Sequence, residues 1–190
     1  MNQQYLEKYL PIAFRQFNRC MVYMWKLGLG KLINCWPPVF GRVMVISHRG
    51  RGTGNLYQTP VNYTEDGEFI YCTSAFSGET DWFLNILANP QVEIWLPDGW
   101  YTGVAEVVEE SEERNTMLRR VLIAGGFAPP LFAGFQPKTV DEEQFNQLTA
   151  DYRLLRIRRQ SPRTGADGPG SLAWLWPIIL GIVLLRKRRK

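Results

Sequence analysis

Residues 5 to 36 repeat apolar side chains at roughly helical spacing (Leu6, Leu10, Phe14, Phe17, Met21, Met24, Trp25, Leu29), with Lys8, Arg15, Arg19 and Lys26 between them. The spacing predicts a basic amphipathic helix that Pro11 breaks early and that Gly28 and Gly30 weaken at its end. It lacks the clean apolar segment and small-residue cleavage site of a secretory leader. Such a helix either packs on its own domain or lies on a membrane surface. From about Gly41 the period falls to two, predicting strands over 41–47, 56–63, 68–73, 91–96, 100–109 and 151–158. Thr64-Glu65-Asp66-Gly67 and Pro97-Asp98-Gly99 read as hairpin turns. Three short helices fit between the strands. The first starts at Thr80 or Asp81 and stops at Asn89-Pro90, the second covers 112–124, and the third covers 141–149. An aromatic loop, 125–132, separates the last two. The predicted fold class is mainly β with helices (α+β), a small antiparallel barrel of six strands.

Residues 159–170 are rich in Gly, Pro and Ser and read as a flexible linker. Beyond it, Leu172 to Leu185 is apolar and Arg186-Lys187-Arg188-Arg189-Lys190 is wholly basic. The apolar stretch is shorter than the ~20 residues a helix needs to cross hydrocarbon. Basic residues also flank both its ends, against the positive-inside tendency. An interfacial anchor fits better, with Trp174 and Trp176 at headgroup level and the terminal cluster on anionic lipid; the alternatives are a short true span and a helix packed on the barrel domain. Four segments follow: an amphipathic helix (1–38), a barrel domain (39–158), a linker (159–170) and an apolar tail with a basic terminus (171–190).

Composition removes several chemistries. A net charge of +4 suits an anionic ligand or membrane surface, and is too mild and too concentrated in one turn and the termini for a nucleic-acid binder. Three widely spaced cysteines (Cys20, Cys35, Cys72) and a single histidine leave no metal-ligand pattern, so no metal is expected. Reduced thiols imply a cytoplasmic setting. The same scarcity removes most Ser-His-Asp and Cys-His schemes unless His48 carries them.

The chemistry-bearing stretch is Ser47-His48-Arg49-Gly50-Arg51-Gly52-Thr53-Gly54, followed by Thr59-Pro60-Val61. Its three glycines let the backbone approach a ligand and aim N–H groups at it. Arg49 and Arg51 supply fork-shaped positive charge suited to phosphate. Read alone, it is either a phosphate-gripping turn or a hairpin turn kept soluble by arginine. No Gly-Lys-Ser/Thr ends it, and no helix pattern follows as a dinucleotide fingerprint requires.

"SHRGRGTGNLYQTPVNYTEDGEFIY" followed by "DWFLNILANPQVEIWL" resembles the deazaflavin-dependent nitroreductase family, split β-barrels related to the FMN-binding pyridoxamine-phosphate-oxidase fold. The elements carrying the resemblance are the turn His48 to Gly54, Thr59-Pro60, Asp81-Trp82, and Asn85 with Asn89-Pro90. They cover about residues 12 to 158; the segment 125–137 and the tail depart from the pattern. The resemblance implies an 8-hydroxy-5-deazaflavin coenzyme (factor 420), with FMN as the alternative. It places the phosphate at His48, Arg49, Gly50, Arg51, Gly52, Thr53 and Gly54, and the ring over Thr59, Pro60 and Val61. Ser74, Ser77 and Gly78 stand in the small-residue loop against the cofactor, followed by Asp81, Trp82 and Asn85. Trp82 reads equally as core packing, Asn85 as a helix-to-loop hydrogen bond, and His48 as a solvent-facing turn histidine. No catalytic residue is assigned. Tyr57, Tyr63 and Tyr71 are proton-donor candidates by residue type.

The implied activity is hydride transfer from the reduced coenzyme to a small apolar acceptor, a quinone or nitro compound, at the cytoplasmic face of a membrane. Phe127, Phe132 and Phe135 would either close over the acceptor, opposite Trp36 and Pro37-Pro38, or serve as ordinary core covering one barrel mouth. The resemblance also implies a homodimer. The rivals are an FMN-dependent oxidoreductase and a non-catalytic barrel that binds cofactor or lipid at the membrane.

Overall fold

A computed structural model describes residues 3–35, 41–74 and 80–187, with the side chains of the first helix from Arg15 onward. Six strands close into one antiparallel barrel: β1 (Val43–Arg49), β2 (Leu56–Asp66), β3 (Phe69–Ser74), β4 (Gln91–Leu96), β5 (Gly99–Val107) and β6 (Arg153–Pro162). The hairpins β1–β2, β2–β3 and β4–β5 join chain neighbours, while β1–β4, β3–β6 and β5–β6 close the barrel. Gly67-Glu68 and Pro97-Asp98 make the two tight turns, so that Asp66 pairs with Phe69 and Leu96 with Gly99.

Among the described residues there are seven helices: α1 (Gln3–Lys26), α2 (Gly30–Ile33), α3 (Asp81–Ala88), α4 (Glu112–Ala124), α5 (Ala128–Phe132), α6 (Glu142–Leu148) and α7 (Leu175–Lys187). The helix expected over 112–124 is α4, started by Ser111, whose Oγ accepts the Arg114 N–H at 3.1 Å. Asp141 does the same for α6, accepting the Gln144 N–H at 2.8 Å. The break expected at Pro11 does not occur: α1 runs through it. Losing one backbone N–H is a local penalty that a long helix can absorb. Part of the expected aromatic loop is helical, as α5.

Three apolar clusters hold these layers together. Met44, Ile46, Val61, Tyr63, Ile70, Cys72, Ile94, Ala105, Leu155 and Ile157 fill the barrel, with Phe83 and Ile86 of α3 packed against them. Tyr71, Val108 and Leu154 meet Met117, Leu118, Val121 and Leu122 of α4 on the outer surface. Trp25 and Ile33 cover Val43, Val45, Trp95 and Trp100. Strand β1 is therefore covered on both faces, which is why Val43 to Ile46 is continuously apolar rather than alternating. The N-terminal helix packs on its own domain at Trp25, the first of its two expected settings.

The segment expected as a flexible linker is ordered by contacts the composition did not reveal. Its first part extends β6, as Arg159 pairs with Asp98 at 3.0 Å and Arg163, just past the strand, with Glu93 at 2.8 Å. Gly168 is buried against the Trp100 ring, where a Cβ would overlap it. The chain then docks on the end of α1: the N–H groups of Gly170 and Leu172 donate to Trp25 O (3.0 Å) and Lys26 O (2.8 Å). Trp176 Nε1 donates to Leu27 O at 2.9 Å. Beyond these contacts Ile178, Ile179, Leu180, Ile182, Leu184 and Leu185 are exposed. Among the described residues no helix is long and apolar enough to cross a membrane.

Candidate functional site

One end of the barrel gathers most of the sequence-predicted residues. Along β1, Met44 and Ile46 point into the barrel, and the same alternation carries His48 to its mouth. On β2 the partner of His48 is Tyr57 and the partner of Ile46 is Thr59, so all three polar side chains share that mouth. Helix α3 lies against it with Phe83 and Ile86 buried, and its 3.6-residue period turns Asn85 to the same side.

His48 is not the solvent-facing residue its turn suggested: it is 2% exposed, and its ring stacks on Tyr57 at a centroid distance of 6.0 Å. The N–H count of its neighbours decides its tautomer. Asn85 Oδ1 accepts the Arg51 backbone N–H (3.0 Å) and Arg51 Nη1 (3.1 Å), which leaves Asn85 Nδ2 to donate to His48 Nδ1 (3.4 Å). His48 Nδ1 is then an acceptor, so Nε2 carries the proton and donates to Thr59 Oγ1 at 3.1 Å. Burial pulls the His48 pKa down from 6.5 to about 4, keeping the ring neutral near pH 7. Asn85 makes the helix-to-loop hydrogen bond that was one of its two readings.

The glycine-arginine turn divides its groups between structure and solvent. The N–H groups of Gly50 and Gly54 bond to Asn55 O (2.9 Å) and Gly50 O (2.8 Å). Gly54 has φ +68°, and a Cβ on Gly50 would stand 2.7 Å from the Tyr57 ring, so both positions require glycine. The N–H groups of Gly52 and Thr53 have no partner among the described residues. Thr53 Oγ1 instead accepts the Asn55 N–H at 3.3 Å and lies 3.4 Å from the Tyr57 hydroxyl. The two arginines differ. Arg51 is bound to α3 by Asp81 Oδ1 (3.1 Å), Asp81 O (3.4 Å) and Asn85, whereas Arg49 makes only a 3.3 Å bond to Gly54 O and faces solvent. The turn thus presents two unpartnered amides, the freer Arg49 guanidinium and an Arg51 guanidinium that is engaged with α3 yet still exposed, a donor set that fits a phosphate.

The remaining predicted residues are placed unequally. Thr59 and Val61 share one face of β2 and Pro60 the other; Val61 is buried in the barrel core, so of that face Thr59 is the residue able to present a side chain at the mouth. Ser74 is buried, its Oγ 2.8 Å from Thr80 Oγ1 at the start of α3, and so holds a helix end rather than facing a ligand. Trp82 is half-buried, packed on the barrel core and edge-on to Phe83 at 6.3 Å. Ser77 and Gly78 lie outside the described residues. Of the three tyrosines only Tyr57 is at the mouth. Tyr63 is buried in the barrel, where burial raises its pKa, and Tyr71 gives its hydroxyl to Glu113 at 3.0 Å.

The aromatic residues expected to cover the acceptor are also unequal. Phe127 is exposed and Phe135 packs edge-on to Phe145 in the α4 cluster. The Phe132 side chain and Trp36, Pro37 and Pro38 lie outside the described residues. The Asn85–His48–Thr59 linkage is absent from the sequence reading. Its only sequence signal is that His48 is even-numbered with Met44 and Ile46, and an all-apolar strand does not say which parity faces inward.

A profile of the F420H(2)-dependent quinone reductase family matches residues 19–127. No curated protein matches the chain. Similar solved structures include an F420-H2 dependent reductase (17% identity, covering 60% of this chain and 92% of that one, TM-score 0.44). A FAD-binding protein of Mesorhizobium loti matches at 16% identity (66% and 86% covered, TM-score 0.43). A heme storage protein of Vibrio cholerae also matches at 16% identity (71% and 88% covered, TM-score 0.42).

Proposed function

Because the chain belongs to the F420H(2)-dependent quinone reductase family over residues 19–127, we propose that it is an oxidoreductase that passes a hydride from a reduced 5-deazaflavin coenzyme to a lipid-dissolved quinone. The observation that carries this reading is the match itself, which spans both the glycine-arginine turn and the α3 residues that brace it. The unpartnered amides of Gly52 and Thr53 and the exposed Arg49 are suited to hold the coenzyme phosphate. Arg51 and Asn85 set the shape of that turn, and β2 at Thr59 and Pro60 supports the ring. Bound in its reduced form, the coenzyme supplies the hydride, two electrons and one hydrogen.

The chain's residues bind, orient and exclude water. Quinone reduction to hydroquinone needs one further proton, and Tyr57, exposed and paired with His48, is the tyrosine placed at the mouth to pass it from solvent. Nitro compounds are a second acceptor class in the same reading, and a homodimer remains part of it. Residues 39–158 would carry the chemistry. The apolar α7 surface and the basic residues 186–190 would hold the protein on the cytoplasmic face of an anionic bilayer, where such a quinone dissolves.

The test is a fluorescence titration of the full chain with the deazaflavin coenzyme and with FMN in parallel, followed by assay of quinone reduction by the reduced coenzyme. Saturable deazaflavin binding, weak FMN binding and stoichiometric hydroquinone support the reading. Preference for FMN replaces the cofactor. Tight binding with no turnover on quinones or nitro compounds replaces the enzyme by a carrier.

A further inference from the structure

The four polar groups at the barrel mouth form a hydrogen-bond chain with a single direction. The Arg51 N–H donates to Asn85 Oδ1 (3.0 Å), Asn85 Nδ2 to His48 Nδ1 (3.4 Å), and His48 Nε2 to Thr59 Oγ1 (3.1 Å). No link can be reversed alone. Flipping the Asn85 amide would set its NH2 against two Arg51 donors, and moving the His48 proton to Nδ1 would set it against Asn85 Nδ2. Thr59 Oγ1 accepts from the histidine, so its own hydrogen must go elsewhere, and it has no acceptor among the described residues. Bonds that all run one way polarise one another, which strengthens the last donor. The chain begins at the backbone of the glycine-arginine turn and ends on β2, the strand that leaves that turn and pairs with β1.

We propose that Asn85 and His48 are positioning residues that commit the Thr59 hydroxyl to donate, and that its acceptor is a carbonyl oxygen of the ligand bound at the mouth. This rests on the functional reading above. In that reading a carbonyl can come from the pyrimidine part of the deazaflavin ring or from the quinone. The shared chemistry is a flat conjugated carbonyl, and Thr59 would select for it against a ring edge presenting N–H. Anchoring at the turn and donation at Thr59 would then be coupled, because the Arg51 amide that shapes the turn is the first donor of the chain.

The single histidine makes the test clean, since its ring nitrogens are the only imidazole signals of the full chain. Nitrogen-15 NMR of the free protein at pH 7 should show the Nε2–H tautomer, and Asn85→Ala should admit the Nδ1–H form. Thr59→Val, which keeps the shape and removes the hydroxyl, should weaken ligand binding roughly three- to tenfold, with Thr59→Ser within about twofold of wild type. A higher coenzyme Kd with unchanged KM for a water-soluble naphthoquinone assigns the carbonyl to the ring. A higher KM with unchanged coenzyme Kd assigns it to the quinone. The Nε2 signal should shift when that ligand is added to wild type and stay still in Thr59→Val. An Nδ1–H tautomer in wild type overturns the relay. Unchanged Kd and KM in Thr59→Val overturn the ligand contact. Failure of wild type to bind coenzyme, with the Nε2–H tautomer present, overturns the functional reading and the ligand contact while leaving the relay standing.

Discussion

Arg51 and Asp81 form an ion pair of 3.1 Å that ties the glycine-arginine turn to the first residue of α3. The pair is solvent-exposed and by itself contributes about 0–1 kcal/mol. Its larger consequence is a division of labour: both arginines are exposed, but the Arg51 guanidinium is engaged with the helix, whereas that of Arg49 has one 3.3 Å bond among the described residues.

The two arginines should therefore behave differently on substitution. Arg49→Ala is expected to weaken coenzyme binding about tenfold, the worth of one charge-assisted bond, with melting temperature unchanged and a shallower salt dependence. Arg51→Ala should also lower stability, by about 1 kcal/mol, because Asn85 Oδ1 loses one of its donors and Asp81 its partner. Denaturant titrations beside binding curves separate the two. Equal stability losses would mean that Arg49 is held more firmly than its 3.3 Å contact indicates.

Acid should destabilise the fold through His48. The unfolded chain binds a proton as pH falls through the ordinary 6.5, while the buried ring resists until about 4. Stability is thus level in this respect above pH 6.5 and falls as pH drops toward 4, by about 3 kcal/mol in total. Carboxylates dominate below pH 5, so the informative window is pH 5–6.5, where about 2 kcal/mol should be lost. His48→Gln should flatten that window in urea titrations. A wild-type slope that survives the substitution would place the titrating group elsewhere.

Thiol reactivity should split two to one. Cys20 and Cys35 are exposed, whereas Cys72 is fully buried in the barrel and burial pushes its thiol up to about 12. A chromogenic disulfide reagent should titrate two thiols in the native protein and three in denaturant. Rapid modification of all three would indicate that the barrel opens between β2 and β3, where Cys72 pairs with Tyr63.

Removing residues 171–190 should release the protein from vesicles containing anionic lipid while leaving the barrel folded. The deletion takes away the exposed apolar side chains of α7 and the basic terminus, and among barrel-side contacts loses chiefly the bonds to Lys26 O and Leu27 O. Sedimentation with vesicles reads the first effect and near-ultraviolet circular dichroism the second. Equal binding to neutral vesicles would remove the basic cluster from the interaction, and loss of the aromatic signal would make the tail part of the fold.

Local rules determined a large share of this protein in advance. Strand-like apolar runs and two tight turns located the six strands to within a few residues, because residue patterning and turn chemistry act between near neighbours. The stripe Met117, Leu118, Val121 and Leu122 marked α4, since one apolar face at helical spacing is enough to define a helix. The turn from Ser47 to Gly54 was equally visible, since a tight turn is a local feature and Gly54 holds the left-handed conformation that glycine favours.

Only the tertiary structure decided the rest, and in each case the deciding contact joins residues far apart in the chain. His48 is buried because Asn85, 37 residues later, and Thr59 close over it. Arg51 is engaged because α3 brings Asp81 to it. The stretch 159–170 is ordered because Asp98, Glu93 and Trp100 accept its arginines and Gly168. Composition reports how much freedom a segment has in isolation, and the partner that removes that freedom becomes a neighbour only when the barrel closes.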